Sequence, residues 1–259
     1  MRLLAWNIRQ GGGTRLVGIM AAIMRHDADV LILSEYRGGE SAERLCAALK
    51  VSGYRYVTRL LPPPQRTGVL IAARRRFVER GPVCPRVAEP WRLVDVDLGV
   101  LRLTGVYMPN LKAKLPYWQT LVAAFAARSA SDALAIGDFN TCRAYVDEPG
   151  AIDAMAHFMD SMDAIGFCDL WRHRYPDGRE FTWYSHRGNG FRIATMRSCR
   201  QVLRRVQASS AIRMRNGWRD CRTILCCCWI CSDRDEEQCH EIRPPLLQYR
   251  SLHGPSARR

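Results

Sequence analysis

The chain has 259 residues, 47% of them hydrophobic and 25% charged, which is typical of a globular protein with a substantial core. No stretch approaches the roughly 18–20 apolar residues that a membrane helix needs. The apolar stretch at residues 1–6 is too short for a signal peptide, and polar residues follow it directly. These features exclude a membrane-spanning class and favour a cytoplasmic enzyme or binding protein.

The formal charge of +14 would ordinarily indicate an acidic partner such as nucleic acid. Its distribution weakens that inference. Residues 1–193 hold 26 Lys and Arg against 19 Asp and Glu, whereas residues 194–259 hold 13 Arg and no Lys against 6 acidic residues. Seven of the 11 cysteines also lie in this final quarter. Two different compositions are therefore joined near Ile193.

The first part of the chain alternates strand-like and helix-like segments, according to the spacing of its apolar residues. In chain order the pattern predicts a strand at 2–6, a helix at 16–24, strands at 30–33, 68–73, 91–97 and 100–107, a helix at 115–128, a strand at 132–136, a helix at 151–165 and a strand at 181–184. Pro116 lies in the first turn of its helix, where proline is tolerated. This alternation favours an α/β class.

Polar side chains stand at or just beyond the ends of several predicted strands. Strand ends are where sheets place ligand chemistry, because loops there direct side chains from a rigid base. One polar strand end is usually just a turn, but six of this chemical kind indicate a site. The six residues are Asn7, Glu35, Tyr107, Asn110, Asp138 and Asn140.

These side chains favour metal-assisted chemistry on a phosphate ester. Carboxylate and amide oxygens suit Mg²⁺ or Mn²⁺ and do not suit zinc. The Tyr107 phenol would hydrogen-bond a phosphate or the attacking water. Together they suit hydrolysis of a phosphodiester or phosphomonoester by in-line attack of water. Taken alone, Glu35 and the 137–140 segment are each better explained as solvated turns.

Five short motifs resemble, in order and spacing, those of the endonuclease/exonuclease/phosphatase family. They are Leu4-Ala5-Trp6-Asn7-Ile8-Arg9, Leu33-Ser34-Glu35, Val106-Tyr107-Met108-Pro109-Asn110, Gly137-Asp138-Phe139-Asn140 and Phe181-Thr182-Trp183-Tyr184 with Gly190-Phe191-Arg192-Ile193. The resemblance implies a four-layer α/β (α+β) sandwich, in which two packed β-sheets are flanked by helices and the site lies at one edge.

The resemblance also implies roles for individual residues. Asn7 and Glu35 look like metal-site residues, and Asp138 and Asn140 look like the pair that orients the nucleophile and stabilises the transition state. Tyr107 looks catalytic, on the phosphate side. Three residues are predicted to bind substrate: Asn110, Trp183 and Arg192. Packing of Trp183 in the core is an equally good interpretation of that residue.

After Ile193 the family pattern stops. It calls for an Asp-His dipeptide and later for Ser-Asp-His, yet no Asp-His occurs in the chain. Read one base out of frame, Ala194-Thr195-Met196 can encode Asp-His, and Cys221–Ile224 can encode Ser-Asp-His. Every Cys and Trp codon begins with TG, and any base before TG gives Leu, Met or Val, so Cys226–Trp229 must encode four apolar residues in that frame. We therefore interpret residues 194–259 as a frameshifted, disordered tail and expect the closing strands to be missing.

Two other interpretations of the tail remain open. Cys228-x-x-Cys231 with Cys239-His240 has some zinc-like spacing, but a second such pair is absent. The Arg runs are compatible with nucleic-acid binding, although a solvated tail explains them as well. We predict a monomeric Mg²⁺- or Mn²⁺-dependent phosphohydrolase domain over residues 1–193, with DNA as one candidate substrate. The alternative is a non-catalytic remnant with at most a binding role.

Overall fold

The computed structural model describes residues 1–128, 133–147 and 154–178, and beyond them the backbone of five short strands at 183–184, 190–191, 196–198, 213–214 and 225–229. Two six-stranded sheets and a separate two-stranded hairpin organise these residues. Within this part of the chain, no helix is both long enough and apolar enough to cross a membrane.

The first sheet is built around two parallel strands, β1 (Arg2–Asn7) and β2 (Val30–Arg37). Its order is β13 (Arg213–Met214), β14 (Leu225–Trp229), β1 (Arg2–Asn7), β2 (Val30–Arg37), β4 (Thr67–Ala73) and β3 (Tyr56–Val57). Helices α1 (Leu16–His26) and α2 (Glu40–Val51) accompany this sheet. All other pairings within it are antiparallel.

The second sheet is built around another parallel pair, β7 (Arg102–Tyr107) and β8 (Ala133–Asp138). Its order is β5 (Val78–Pro82), β6 (Leu93–Asp97), β7 (Arg102–Tyr107), β8 (Ala133–Asp138), β12 (Met196–Ser198) and β9 (Phe167–Asp169). Helices α3 (Leu115–Ala126), α4 (His157–Ala164) and α5 (Leu170–Arg174) accompany it, and β10 (Trp183–Tyr184) pairs with β11 (Gly190–Phe191) in the hairpin.

The four layers follow from the alternation of apolar side chains along the strands. In β1, Leu3 and Ala5 belong to the core between the sheets, whereas Leu4 and Trp6 pack in the core that includes α1 and α2. The second sheet likewise packs its outer face on α3 and α4. Gly105 has no room for a side chain, since a Cβ there would lie 2.8 Å from Val69 of the opposite sheet.

The predicted four-layer α/β sandwich is confirmed. Several predicted bounds differ from the structure. The strand predicted at 30–33 continues through Glu35 to Arg37, 90–92 is a short 3-10 helix before β6, β7 begins at Arg102, and α4 begins at His157. Helix α2 was not predicted. Its buried residues Ala42, Leu45 and Leu49 share one face, but charged residues lie between and beside them in the sequence and obscure the apolar pattern.

The expectation that the closing strands are missing is wrong for the positions next to β1 and β8. Strand β14 pairs antiparallel with β1, from Arg2 opposite Trp229 to Trp6 opposite Leu225, and β12 pairs with β8 and β9. An unpaired strand edge exposes backbone hydrogen-bonding groups, and an extended segment from the same chain satisfies them. The predicted disorder and frameshift of 194–259 concern mostly residues outside the described ranges and stay predictions.

Candidate active site

The ends of the two parallel strand pairs meet at one edge of the sandwich. Asn7 ends β1 opposite Ser34 of β2, and Tyr107 ends β7 opposite Asp138 of β8. The Ser34 hydroxyl donates to the Val106 carbonyl oxygen of the other sheet at 3.2 Å, which ties the two edges together. The fold therefore brings side by side the strands that carry four of the predicted site residues, Asn7, Glu35, Tyr107 and Asp138.

Asn7 is the centre of this cluster. Its buried amide nitrogen donates to Glu35 Oε1 at 2.8 Å and to Asp138 Oδ2 at 2.8 Å. Its amide oxygen accepts a hydrogen bond from the backbone nitrogen of Arg9 at 2.9 Å. The side chain of Asn7 thus joins one carboxylate from each sheet, and hydrogen bonds of this charge-assisted kind are stronger than neutral ones.

Glu35 occupies an irregular position in β2. Its φ angle of 54° is in the left-handed region, and the pairing with β4 shifts register between Ser34 and Tyr36. Bulges of this kind commonly redirect a side chain next to an active site. The loop after β1 closes over the carboxylate, because Gln10 donates its backbone nitrogen to Glu35 Oε2 at 3.0 Å. The Glu35 carbonyl accepts from the Gly11 backbone nitrogen at 2.7 Å.

Asp138 is buried, and burial raises the pKa of its carboxyl group from the usual 3.8 to about 6. Hydrogen bonds from the Asn7 amide and the Asn140 backbone nitrogen oppose this rise in pKa, nearby Glu35 adds to it, and the Lys114 charge opposes it. The Asn140 nitrogen lies 3.0 Å from Asp138 Oδ1. A carboxyl group with this pKa accepts and releases a proton near neutral pH.

Asn140 is fixed from two sides. Its amide nitrogen donates to the Met108 carbonyl oxygen at 2.7 Å, and its own carbonyl oxygen accepts from the buried Lys114 ammonium. Asn140 has a φ angle of 46°, a conformation that asparagine tolerates better than most residues. The loop that follows β8 is therefore held in one conformation next to Asp138.

Gly137 makes the approach of β8 to β7 possible. Its φ angle is +141°, and a Cβ at this position would lie 2.1 Å from the Val106 carbonyl oxygen. A residue with a side chain would have to move the backbone of one strand. Gly137 is thus required for placing Asp138 at the end of its strand.

Tyr107 is 7% exposed and ends β7 beside the cluster. Burial and the negative charge of Glu35 raise the pKa of its phenol, while Thr67 and Arg92 offset part of that rise. The phenol therefore stays protonated and serves as a hydrogen-bond donor over the physiological pH range. The Arg92 guanidinium lies over the ring, with Cζ 4.5 Å from the ring centroid.

The remaining predicted site residues are less well defined. Asn110 is exposed, directly before the 3-10 helix Leu111–Lys114, and its side chain does not cap that helix. Trp183 lies in β10, but the structure describes only its backbone. Arg192 lies outside the described residues. Their roles in substrate binding stay predictions.

Sequence reasoning did not find three residues that contact the cluster: Gln10, Arg92 and Lys114. The side chain of Gln10 approaches Glu35 Oε2 at 3.5 Å, and Lys114 contacts Asn140 across 26 positions of sequence. Neither an apolar pattern nor a strand end marks these positions. Their contacts arise from tertiary packing, which a single sequence does not display.

The donor set fits a hard divalent cation that keeps most of its own water. Among residues 1–128, 133–147 and 154–178, no three His, Cys, Asp or Glu side chains cluster as a metal site. Mg²⁺, however, is usually held by one or two carboxylates and completed by water and phosphate oxygens. Glu35 is half-buried and offers one such carboxylate. Because the amide nitrogen of Asn7 faces Glu35, Asn7 orients that carboxylate in this arrangement.

Several solved structures share this fold. An AP endonuclease from Archaeoglobus fulgidus is 16% identical, with a TM-score of 0.73 over 88% of this chain and 98% of that one. A 3'-5' exonuclease from Neisseria meningitidis is 19% identical, with a TM-score of 0.72 over 88% of this chain and 99% of that one. A Neisseria 3' phosphatase bound to a product DNA hairpin is 18% identical, with a TM-score of 0.73 over 90% of this chain and 100% of that one.

At these identities the structures show a common fold and no more. No curated protein matches the chain. A family model, by contrast, matches residues 4–193, which include all five family motifs, strands β2, β7 and β8, and most of β1. The chain belongs to the Endonuclease/Exonuclease/phosphatase family, a family of phosphate-ester hydrolases.

Proposed function

We propose that this protein is a Mg²⁺- or Mn²⁺-dependent phosphodiesterase of the nuclease type. The observation that supports this most directly is the Asn7 amide, which links Glu35 and Asp138 across the two sheets at 2.8 Å each. This arrangement puts a solvent-accessible carboxylate, a buried carboxyl group and a protonated phenol at one edge of the sandwich. Each has a task in the attack of water on phosphorus.

Asp138 accepts a proton from the attacking water. Its pKa of about 6 leaves it mostly ionised at neutral pH, yet basic enough to take the proton as the bond to phosphorus forms. The bond between phosphorus and the leaving oxygen breaks in the same displacement, and solvent protonates the departing alkoxide. The Asn140 backbone nitrogen fixes one carboxyl oxygen, and Asn7 fixes the other. The Asn7 amide also lies between the Asp138 and Glu35 carboxylates and reduces the repulsion between their negative charges.

Tyr107 donates a hydrogen bond from its phenolic hydroxyl to a phosphate oxygen, because its raised pKa keeps the hydroxyl protonated. Glu35 holds the divalent cation, with its carboxylate oriented by Asn7 and Gln10. When bound, the cation polarises the phosphate and stabilises the charge that develops in the transition state. Asn110 lies on the exposed side of the site and contacts substrate.

We propose DNA as the substrate class, in a monomeric cytoplasmic protein. One of the similar structures is a 3' phosphatase bound to a product DNA hairpin and another is an AP endonuclease, and basic residues exceed acidic ones over residues 1–193. A basic excess favours a polyanionic ligand.

The assay that tests this substrate class compares a duplex containing an abasic site with a bis-aryl phosphodiester. Faster cleavage of the duplex supports DNA, and equal second-order rate constants contradict it.

The metal dependence is tested with Glu35→Gln and a matched control, Glu40→Gln. Glu40 is an exposed glutamate at the start of α2, ion-paired with Arg44. Binding of Mg²⁺ to the folded protein raises its unfolding temperature, and tighter binding raises it more at the same Mg²⁺ concentration. We expect Mg²⁺ to stabilise the wild type and Glu40→Gln equally and to have little effect on Glu35→Gln. A Glu35→Gln protein that responds like the control would remove Glu35 from the metal site.

A second proposal is that the chain is impaired, or is a non-catalytic remnant with a binding role. The chain carries the motifs of residues 4–193 but no Asp-His dipeptide, whose histidine the family pattern uses as a base or phosphate-side group. Loss of a positioned acid or base lowers the rate by about 10²–10⁴-fold. Weak turnover that rises when the reading frame is restored supports impairment, and binding of the abasic duplex without any turnover supports the remnant.

A further inference from the structure

Arg92 is a buried cation beside the site that none of the roles above requires. It ends the 3-10 helix Pro90–Arg92, and its side chain is 11% exposed. Its Nε lies 2.6 Å from Glu89 Oε2, and its Cζ lies 4.5 Å from the centroid of the Tyr107 ring. A guanidinium at this distance over an aromatic face attracts the ring and restricts its motion.

The segment that carries Arg92 is itself anchored. Trp91 Nε1 donates to the Thr67 carbonyl oxygen at 3.2 Å, and the Glu89 backbone nitrogen donates to the Tyr117 hydroxyl at 3.1 Å. At Gly68 a Cβ would lie 2.5 Å from the Trp91 indole, so the segment packs closely on β4. These contacts keep the guanidinium at a fixed place relative to the end of β7.

One nitrogen of the Arg92 guanidinium makes no hydrogen bond within the part of the chain that the structure describes. This nitrogen is Nη1, and it is buried. Buried donors are almost always paired, because an unpaired donor costs free energy. Glu89, which compensates the charge, is shared with the exposed Arg66 at 3.4 Å. Arg143 and Arg172 also have one such nitrogen, so the feature that distinguishes Arg92 is its place over the Tyr107 ring.

We propose that Arg92 is a positioning residue for the reaction, whose guanidinium holds the Tyr107 phenol in place and favours an anionic phosphate at its hydroxyl. This inference rests on the proposed function of Tyr107 as a donor to the phosphate. Arg92 touches neither the substrate nor the cation. It acts through Tyr107, and Glu89 in turn holds Arg92.

The test is a double-mutant cycle in the full chain with Arg92→Met, Tyr107→Phe and the combined variant, assayed on the abasic duplex with Mg²⁺. Phenylalanine keeps the ring and removes the hydroxyl, so the cycle isolates the effect that passes through the hydroxyl. Arg128→Met is the matched control. Arg128 is also buried, ion-paired with Asp95 at 2.8 Å and placed over an aromatic ring, that of Phe125 at 5.3 Å.

We expect Arg92→Met to lower kcat about tenfold when Tyr107 is present and less than about twofold in the Tyr107→Phe background, with KM nearly unchanged. Arg92→Lys, which keeps the charge but not the planar stack, should recover part of kcat; it also replaces Arg92→Met in the cycle if that variant does not fold. Arg128→Met should retain the wild-type kcat.

Equal losses in both backgrounds, or the same loss in Arg128→Met, would show that Arg92 is merely structural and would overturn the inference while leaving the proposed function intact. A wild-type chain that cleaves no phosphodiester would overturn the proposed function itself, and the inference with it.

Discussion

Asp138 is needed for the proposed chemistry but lowers the stability of the folded protein when it is ionised. Its carboxyl group is buried among Asn7, Asn140 and the strand end, and burial raises its pKa to about 6. The unfolded chain ionises this group near pH 3.8, so between about pH 4 and 6 the folded state holds a proton that the unfolded state has lost. Stability therefore falls as pH rises through this window and then levels off.

The first prediction follows from that sign. Each pKa unit corresponds to 1.36 kcal/mol, so a charged Asp138 costs about 3 kcal/mol above pH 6. In metal-free buffer, Asp138→Asn should match the wild type near pH 4 and exceed its free energy of unfolding by about that amount at pH 7. Urea unfolding at a series of pH values measures the difference. A gap that does not change between pH 4 and 7 would refute the assigned pKa.

At the scale of elements, the ends of the strands were predictable and the contacts between them were not. The polar residues after apolar runs placed Asn7 and Asp138 at strand ends, and the parallel pairs brought those ends together. Glu35 was predicted to end its strand, but it lies at an irregular position within β2, which continues to Arg37. The Asn7 amide between two carboxylates depends on the packing of one sheet on the other. The same holds for Arg92, because an isolated arginine before a strand has no distinguishing pattern.

Gly137 gives the second prediction. A Cβ there would lie 2.1 Å from the Val106 carbonyl oxygen, and the φ angle of +141° is rarely adopted by other residues. Gly137→Ala should therefore cost more than about 2 kcal/mol of stability and displace Asp138, which lowers kcat as well.

Gly18→Ala is the matched control for that variant. Gly18 lies within α1, and a Cβ at this position meets nothing within 4 Å. Alanine should stabilise the helix by about 0.5–1 kcal/mol. Chemical denaturation of both variants measures the two effects. If Gly137→Ala were as stable as Gly18→Ala, the close approach of β7 and β8 would not constrain the site.

At the scale of the whole molecule, the sequence predicts a break near Ile193, and the structure pairs strands from beyond it with β1 and β8. These strands extend both sheets beyond β1 and β8, but the Asp-His and Ser-Asp-His motifs are still absent from the chain. A segment that pairs as a strand supplies backbone hydrogen bonds whatever side chains it carries. Completing the fold and completing the site are therefore separate requirements.

The third prediction concerns the reading frame. If residues 194–259 are frameshifted, the codons for Ala194 and Thr195 are GCG and ACC, because only these yield Asp-His one base earlier. A frame-corrected protein should then hydrolyse phosphodiesters about 10²–10⁴-fold faster than the chain of 259 residues. Resequencing and parallel assays with Mg²⁺ check both statements. Other codons at these positions, or equal rates, would show that the tail is genuine.

The measurement that tests the proposed site most directly is the turnover of Asp138→Asn against wild type on the abasic duplex, at neutral pH with Mg²⁺. The variant keeps the size of the side chain and is expected to be more stable, so a loss of rate cannot be ascribed to unfolding. Removing the general base should lower kcat by about 10²–10⁴-fold. A variant that turns over as fast as the wild type would contradict the assignment of Asp138, and with it the proposed active site.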